Sequence, residues 1–382
     1  MRPVKIIHCG DLHIGSTFSV IPEKSKIRQQ ELMRTFNTII EMCQREKADI
    51  LLISGDLFEQ TDTPVEISSF VIKSFEKINY TRVFIAPGNH DPYTVDSDYR
   101  TKKWPENVYI FKDKMEFVQL EDLHVKVFGA AFVNSSETNC LLGHASPDDD
   151  YIDICVIHGD LVSNGKTSIY NPIIKEQIEK SNMDYIALGH VHKYSGILKE
   201  GKTCYAYSGC IEGRGFDELG EKGIITGTVE KNRCKLEFKP ICERMYLEAV
   251  VDVSGSTNQQ EIAQCILKTI SAEFGKDYSR HLYKIKLTGE LPVNLKPSSQ
   301  AMSVWLSDNL FFYKIVDKTS VITNLEELSN EISLKGTFIR KIMEKINECK
   351  SKSNYDGAEK YKMALNIGLR AFEGEVKYDE NN

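Results

Sequence analysis

The sequence lacks any Cys-x-x-Cys pair, although it contains 10 cysteines. This scattered spacing argues against a zinc cluster or a disulfide framework. Five of the cysteines fall within apolar patterns, so we expect them to be reduced, buried, structural thiols, as in a cytoplasmic protein. These five are Cys9, Cys43, Cys155, Cys265 and Cys349.

Long hydrophobic runs and an excess of positive charge are also missing. No apolar run approaches the length that spans a membrane, and the N-terminus enters a strand pattern without the apolar core of a signal peptide. The net charge of −7 argues against a surface coated with positive charge for non-specific nucleic-acid binding. It leaves room for a local basic patch. We therefore expect a cytoplasmic protein with no membrane partner.

A chain of 382 residues, 41% hydrophobic and 27% charged, is long enough for two or three globular domains. Its first part alternates apolar strand patterns with amphipathic helix patterns, which predicts an α/β fold with a doubly covered sheet. The number of strands after residue 120 predicts two sheets packed face to face with helices outside. The predicted strands cover residues 4–9, 49–54, 83–86, 122–132, 151–157, 184–188, 194–198, 203–207, 223–229 and 235–240, and the first two helices cover 23–45 and 65–77.

The pattern changes near residue 244. Strands predicted at 246–253, 281–287 and 310–316, with helices at 258–274 and 298–307, indicate a small α/β domain. From residue 324 on, two apolar stripes at helical spacing indicate a purely helical segment. We therefore predict domains at 1–244 and 245–320, a helical segment at 321–376 and a tail at 377–382.

Polar side chains follow five of the predicted strands. In open α/β sheets, the carboxyl ends of the strands are where ligands bind. Each motif has an ordinary explanation by itself: Asp11 as a helix cap, Asp56 as a turn former, and His158 as a satisfied core residue. Their occurrence after five strands favours one shared site. The motifs are Asp11-x-His13, Gly55-Asp56, Gly88-Asn89-His90-Asp91, His158-Gly159 and Gly189-His190-x-His192.

Imidazole, carboxylate and amide oxygen without thiolate are ligands that suit manganese, iron or zinc. Seven candidate ligands exceed what one ion normally takes from a protein, so we predict two divalent ions. Two such ions can hold a hydroxide between them and clamp a phosphoryl oxygen for in-line displacement. We assign Asp11, His13 and His192 to one ion, Asn89, His158 and His190 to the other, and Asp56 to a bridging position.

His90 is not needed as a ligand and is free to protonate the departing oxygen. Asp91 is available to orient its ring, as carboxylates often do for catalytic histidines. The remaining histidines receive no ligand role, and His8, inside the first strand, is assigned to packing. The other three are His124, His144 and His281.

These five motifs, in this order, resemble the calcineurin-like metallophosphoesterase family. The resemblance covers about the first 240 residues and implies a four-layer αββα sandwich. Within that family, the Gly55–Phe58 and Gly88–Asp91 motifs and the two-part C-terminal extension resemble SbcD-type DNA repair exonucleases. That likeness implies two Mn²⁺ ions, exonuclease or endonuclease cleavage of DNA, a capping domain at 245–320, and C-terminal helices that bind an SbcC-type coiled-coil ATPase. Glu59 departs from the His or Asp that many such relatives carry at this position.

Two further stretches are candidate substrate contacts. Arg100, Lys102 and Lys103 are interleaved with aromatic residues, a mixture suited to a nucleic-acid groove. The alternative is an exposed loop with Trp104 packed inward. Arg214 lies in a glycine-rich tract and is placed to contact a phosphate, although a plain hairpin loop explains the same tract.

The function that these features favour is a manganese-dependent DNA nuclease. One alternative is a phosphodiesterase or phosphatase for cyclic or dinucleotide substrates, which the same metals could serve. Another is a scaffold for the ATPase that has lost its chemistry. The sequence leaves open the exonuclease polarity, the preferred DNA structure, the physiological metal and the oligomeric state, including a homodimer.

Overall fold

The computed structural model describes residues 2–143, 147, 150–292, 294–322 and 325–372, and the chain divides into two compact units, Met1–Tyr246 and Leu247–Asn382. The unit boundary therefore falls at residue 246, where the chain enters a strand. The predicted tail 377–382 and His144 lie outside the described residues.

The first unit alternates strands and helices through its first hundred residues and then becomes rich in strands. Helix α1 begins after a 3₁₀ turn at Pro22–Lys24, and helix α2 begins directly after Pro64. The elements are β1 (Val4–Cys9), α1 (Ser25–Glu46), β2 (Ile50–Ile53), α2 (Val65–Glu76), β3 (Arg82–Ile85), α3 (Asp98–Thr101), β4 (Val108–Ile110), β5 (Glu116–Leu120), β6 (Val125–Gly129), β7 (Ile152–His158), α4 (Lys175–Ser181), β8 (Tyr185–Gly189), β9 (Leu198–Glu200), β10 (Thr203–Tyr207), β11 (Gly223–Glu230) and β12 (Arg233–Pro240).

These strands form two six-stranded sheets. The first sheet has the order β12-β11-β1-β2-β3-β4, and the second has the order β5-β6-β7-β8-β10-β9. Strands β1 to β4 are parallel to one another, as are β6, β7, β8 and β10. The carboxyl ends of the parallel strands therefore lie at one edge of each sheet.

The main core lies between the sheets. Alternate residues of β1, β2 and β3, such as Ile6, Leu52 and Phe84, form one buried cluster with Ile154 and Ala187 of β7 and β8. The residues between them on each strand are buried as well, as covering helices require. Helix α1 buries an apolar face on one side, and α4 contributes to a second cluster on the outer face of the second sheet. The predicted four-layer αββα sandwich is confirmed.

Several predicted elements differ from the structure. The strand expected at 194–198 is wrong: the chain becomes a strand only at Leu198, because Gly196 has a φ of +80° that interrupts the extended conformation. The short edge strands β4 and β5 and the helix α4 were not predicted, since three to seven residues carry too little periodicity.

The second unit has two cores. One lies between a three-stranded sheet and two helices, and the other lies within the C-terminal helices, where Ile339 and Ile346 pack against Leu365 and Leu369. The elements are β13 (Tyr246–Asp252), α5 (Gln259–Phe274), β14 (Leu282–Thr288), β15 (Glu290–Pro292), α6 (Ser299–Leu306), β16 (Phe312–Asp317), β17 (Ser320–Ile322), α7 (Leu325–Ser329), α8 (Leu334–Ser351) and α9 (Tyr355–Phe372), with a 3₁₀ turn at Tyr278–Arg280.

The predicted apolar stripes of the C-terminal segment pack mainly against each other, as a hairpin of α8 and α9. In the part of the chain that the structure describes, no helix combines the length and apolar character needed to cross a membrane. All 10 cysteines fall in that part and are free thiols; Cys9, Cys43 and Cys155 are buried, whereas Cys265 and Cys349 are partly exposed.

Candidate metal centre

Loops at the carboxyl ends of β1, β2, β3, β7 and β8 bring all seven predicted ligands to one place. Several of these residues have a backbone that L-residues rarely adopt: Asp11 (φ +51°), His13 (φ +47°), Asp56 (φ +50°) and His190 (φ +108°). Such conformations persist only where the surrounding structure enforces them, and they concentrate at functional sites.

Two glycines allow the close approach of ligands. A Cβ on Gly88 would collide with Oδ1 of Asp56, and a Cβ on Gly55, which has a φ of +90°, would collide with the ring of His158. The Gly-Asp and Gly-Asn-His motifs therefore need glycine for space as well as for conformation.

The group predicted for the first ion is compact. Nε2 of His13 lies 3.3 Å from Nε2 of His192 and 3.7 Å from Oδ2 of Asp56. Nε2 of His192 lies 4.0 Å from Oδ1 of Asp11. The backbone N–H of His190 donates to both Asp11 oxygens, at 2.9 and 3.1 Å, and fixes that carboxylate.

The group predicted for the second ion shares Asp56 with the first. Nε2 of His158 lies 2.9 Å from Oδ1 of Asn89 and 3.5 Å from Oδ2 of Asp56. The ring of His190 stands beside this group, with its centroid 5.2 Å from that of His158 and 4.8 Å from that of Tyr170. Asp56 thus lies between the two groups, as a bridging ligand must.

The hydrogen bonds around the rings show that these residues fit cations. Nδ1 of His158 lies 2.9 Å from the carbonyl oxygen of Ser54, and Nδ1 of His192 lies 2.6 Å from Oε1 of Glu218. Each acceptor requires the ring proton on Nδ1, so the lone pairs on Nε2 face inward toward the carboxylates of Asp11 and Asp56. Converging lone pairs and buried carboxylates repel one another unless a cation lies between them. The set of N and O donors suits a divalent transition metal.

Electrostatics at the site follow from burial and close charges. Burial alone would raise the pKa of Asp56, but the neighbouring His158 and His13 lower it below its usual range. Burial lowers the pKa of His13. Both effects favour the ionised carboxylate and the neutral imidazole, which are the forms that bind metal.

His90 lies at the surface of this centre. Its ring is 4.7 Å from that of His13, its side chain is 40% exposed, and it joins His13 and Asp56 in a group whose ligand atoms lie within 4.8 Å of one another. Its Nδ1 lies 3.2 Å from the carbonyl oxygen of Glu59. His90 is therefore both accessible and close to the predicted ligands.

Asp91 does not orient His90 in the way its sequence position predicts. Its Oδ2 accepts from the backbone N–H of Phe58 at 2.9 Å and from the Tyr99 hydroxyl at 2.6 Å, and its Oδ1 accepts from Gly88 N–H at 2.9 Å. The side chain is turned into the protein, where burial and the charge of Asp56 raise its pKa to about 7. Asp91 therefore holds the loop that carries Asn89, which is a supporting role.

The predicted substrate contacts lie on two separate stretches. Arg100 and Lys103 are exposed, and the Arg100 guanidinium lies 5.5 Å from the ring centre of Tyr93. Lys102 lies 3.9 Å from Asp98. Trp104 packs inward against Tyr99 and donates to the carbonyl oxygen of Asp98, as the alternative interpretation of this stretch expected. Packing of Trp104 leaves the basic side chains at the surface.

Arg214 belongs to a loop at the edge of the centre. Its Nη1 lies 2.9 Å from Oε2 of Glu59, and its Nη2 lies 3.4 Å from Oε1 of Glu218. Sequence reasoning missed the role of Glu218, since a carboxylate in a loop 26 residues beyond His192 carries no motif. His8, assigned to packing, is fully buried between Tyr185 and Ser54, with ring nitrogens 2.8 and 3.0 Å from their hydroxyl oxygens.

Comparison with known proteins gives a consistent picture. A family model described as calcineurin-like phosphoesterase matches residues 4–194. An uncharacterized metallophosphoesterase, YhaO of Bacillus subtilis, is 28% identical over 76% of this chain and 73% of its own length. The SbcD component of the nuclease SbcCD of Staphylococcus epidermidis is 24% identical over 65% and 72%, and the DNA double-strand break repair protein Mre11 of Aeropyrum pernix is 23% identical over 57% and 56%.

Proposed function

We propose, from the premise that this chain belongs to the calcineurin-like phosphoesterase family, that its phosphoester hydrolysis is directed at the phosphodiester bonds of DNA. The observation that carries the proposal is the convergence of His13, His158 and His192 on the shared carboxylate of Asp56. Phosphodiesters are unreactive anions, and a pair of divalent cations is the usual means of accelerating their hydrolysis.

The residues that would hold the metals are those assigned above, with Asp56 shared between the two groups. Mn²⁺ suits their mixed N and O donors. When bound, the ions would polarise the phosphoryl oxygen and lower the pKa of water to give a nucleophile at neutral pH. Asn89 contributes a neutral oxygen, so the site keeps enough positive charge to accept a phosphate anion.

His90 would supply the proton that the departing oxygen needs. If its Nδ1–H donates to the Glu59 carbonyl, at 3.2 Å, the ring is oriented and Nε2 remains for the leaving group. Its 40% exposure allows contact with a substrate at the surface of the site.

DNA as the substrate is supported by two features. The two nuclease and repair relatives are named for nuclease activity or break repair. In addition, Arg100, Lys102 and Lys103 form a basic strip that follows the Asn89–Asp91 turn, and cations of this kind neutralise a phosphate backbone. The strip provides the local positive surface that the net charge of −7 does not.

A coiled-coil ATPase partner is supported by the C-terminal helices. Although α8 and α9 pack against each other, they still expose Leu334, Tyr355, Met363 and Ile367, each by more than half. Apolar side chains on the outer face of a helical hairpin suit docking against a partner helix. The Staphylococcus epidermidis relative is named as one component of a larger nuclease, which is consistent with such an assembly.

The test is a comparison of substrates with the metal-depleted protein after addition of Mn²⁺. A labelled DNA duplex, bis-p-nitrophenyl phosphate and cyclic nucleotides are offered at equal concentration, with EDTA and the Asp56→Asn variant as controls. We expect cleavage of the duplex that both controls abolish. Faster turnover of cyclic nucleotides than of DNA would favour the small-nucleotide enzyme, and no turnover at all would favour the scaffold.

The partner is tested by removing the helices. A chain ending at Thr323 lacks α7, α8 and α9, while both sheets of the first unit are retained. We expect it to hydrolyse bis-p-nitrophenyl phosphate at the rate of the full chain but to lose capture of an SbcC-type coiled coil. Retained capture would contradict this part of the proposal.

A further inference from the structure

We propose that Glu218 is a positioning residue for the metal ligand His192 and that Arg214 holds Glu218 in place; this inference rests on the proposed metal centre. Oε1 of Glu218 lies 2.6 Å from Nδ1 of His192, and the Glu218 residue is only 8% exposed. A carboxylate behind a ligating imidazole fixes the ring and increases its basicity.

The direction of this hydrogen bond decides which nitrogen can bind metal. An ionised carboxylate can only accept, so the proton lies on Nδ1 of His192 and Nε2 carries the lone pair. The same Nε2 faces Nε2 of His13 at 3.3 Å and Oδ1 of Asp11 at 4.0 Å. Without Glu218, the ring is free to rotate and to place its proton on Nε2, and neither change is compatible with metal binding.

Arg214 joins the carboxylates that stand behind two ligands of the same predicted ion. Its backbone N–H donates to Oε2 of Glu218 at 2.7 Å, and its Nη1 donates to Oε2 of Glu59 at 2.9 Å. That same Glu59 oxygen lies 3.3 Å from Nδ1 of His13. The angle of this last approach is poor for a hydrogen bond, so Glu59 is the weaker support. One guanidinium thus links the groups behind His13 and His192.

The loop that carries Arg214 and Glu218 is itself fixed from below. Arg28, fully buried, donates from Nη2 to the carbonyl oxygen of Gly213 at 3.1 Å. The hydroxyl of Tyr246 lies 3.2 Å from the carbonyl oxygen of Arg214. Because both anchors are on the first unit, Glu218 is held in a defined place and is not a mobile surface carboxylate.

A third metal ion is the alternative explanation of this cluster, since Cys210 brings its thiol within 3.8 Å of Oε2 of Glu218. Two ligands of a tetrahedral zinc ion, each at about 2.1 Å from it, stand about 3.4 Å apart. The separation of 2.6 Å between Nδ1 of His192 and Oε1 of Glu218 is too short for that and is typical of a charged hydrogen bond.

The test measures Mn²⁺ binding by titration calorimetry, with protein stripped of metal and no substrate present. We expect Glu218→Ala to weaken one of the two ions about 10- to 100-fold, which is the usual effect of removing such a partner. Glu218→Gln keeps an oxygen that accepts from Nδ1–H but loses the charge, so we expect a smaller, several-fold loss. Glu46→Gln is the matched control, because its carboxylate pairs with Lys239 and Thr226 instead.

The melting temperature of the metal-free protein separates positioning from folding. Weaker binding of one ion by either Glu218 variant, with an unchanged melting temperature, supports the inference. If Glu218→Ala melts early, Glu218→Gln decides the question. Affinity and stoichiometry equal to wild type in the folded variant overturn the inference, whereas a wild-type protein that binds no Mn²⁺ overturns the metal centre itself.

Discussion

Nε2 of His158 lies 2.9 Å from Oδ1 of Asn89, although 69 residues separate them in the sequence. His158 ends a strand of the second sheet, and Asn89 follows a strand of the first. The candidate metal centre is therefore built from both halves of the sandwich. A cation bound there would connect the two sheets, so metal binding and the stability of the first unit should be coupled.

Removal of metal should lower the stability of the protein. A ligand that binds only the folded state at 100 times its dissociation constant adds about 2.7 kcal/mol per site. We expect the melting temperature to fall on treatment with EDTA and to recover with Mn²⁺. The Asn89→Ala variant should recover only part of the difference, since it retains the Asp11–His13–His192 group. Identical melting of the wild type with and without Mn²⁺ would contradict the coupling.

The centre of this fold could be predicted from the sequence better than its edges. The strands Val4–Cys9 and Ile50–Ile53 are apolar for most of their length and end at polar motifs, so both the element and its end are visible in the pattern. The edge strand Val108–Ile110 is only partly buried, and no such pattern identifies it. The seven ligands could be predicted because motifs place them directly after strands.

Contacts between side chains distant in sequence could not be predicted. Asp91 follows His90 directly, and this adjacency predicts a catalytic partnership. In the structure, backbone N–H groups and Tyr99 take both its oxygens, because the loop turns that side chain inward. Glu218 shows the converse case, since only the folded loop brings it to His192.

Replacement of His90 by Gln should separate proton transfer from metal chemistry. We expect kcat on a DNA duplex to fall by about 10²-fold or more, because general-acid catalysis typically contributes 10² to 10⁴. The KM and the number of bound Mn²⁺ ions should not change. Steady-state kinetics and elemental analysis of the same preparation check both expectations.

A substrate with a better leaving group provides the control for His90. The p-nitrophenolate ion departs without a proton, so His90→Gln should reduce hydrolysis of bis-p-nitrophenyl phosphate much less than cleavage of DNA. Equal losses on the two substrates would mean that His90 acts on binding or on the metals and not on the leaving group.

Substitution of Gly88 by Ala should damage the centre through sterics alone. The added Cβ collides with Asp56, whose carboxylate is shared by both metal groups. We expect at least roughly a tenfold loss of Mn²⁺ affinity, measured by calorimetry. Gly143→Ala is the control, because the nearest atom to its added Cβ, the Cys140 carbonyl oxygen, is at an ordinary 3.7 Å. Unchanged affinity in Gly88→Ala would show that the Asp56 position is not critical.

The basic strip is tested through the salt dependence of DNA binding. Each phosphate contact contributes a slope of about −0.9 to the logarithm of affinity against the logarithm of salt concentration. We expect the double substitution of Lys102 and Lys103 by Ala to reduce the slope by up to about two and to weaken binding at low salt. Anisotropy measurements at several salt concentrations, with Asp56→Asn as background to prevent cleavage, check this. A slope that does not change would remove the strip from the DNA interface.

Arg28 should be the most critical cation for the stability of the first unit. Its side chain is fully buried between Glu31 and Glu212, at 2.5 and 2.7 Å, whereas Arg34 forms a half-exposed pair with Glu243. Substitution of Arg28 by Met leaves Glu212 buried with only neutral partners, and removal of one member of a buried pair costs about 3–5 kcal/mol. Substitution of Arg34 by Met should cost less than about 1 kcal/mol, as for other surface pairs. Urea unfolding of both variants measures the difference; equal costs would mean that water reaches the Arg28 network and that the loop carrying Glu218 is not fixed by it.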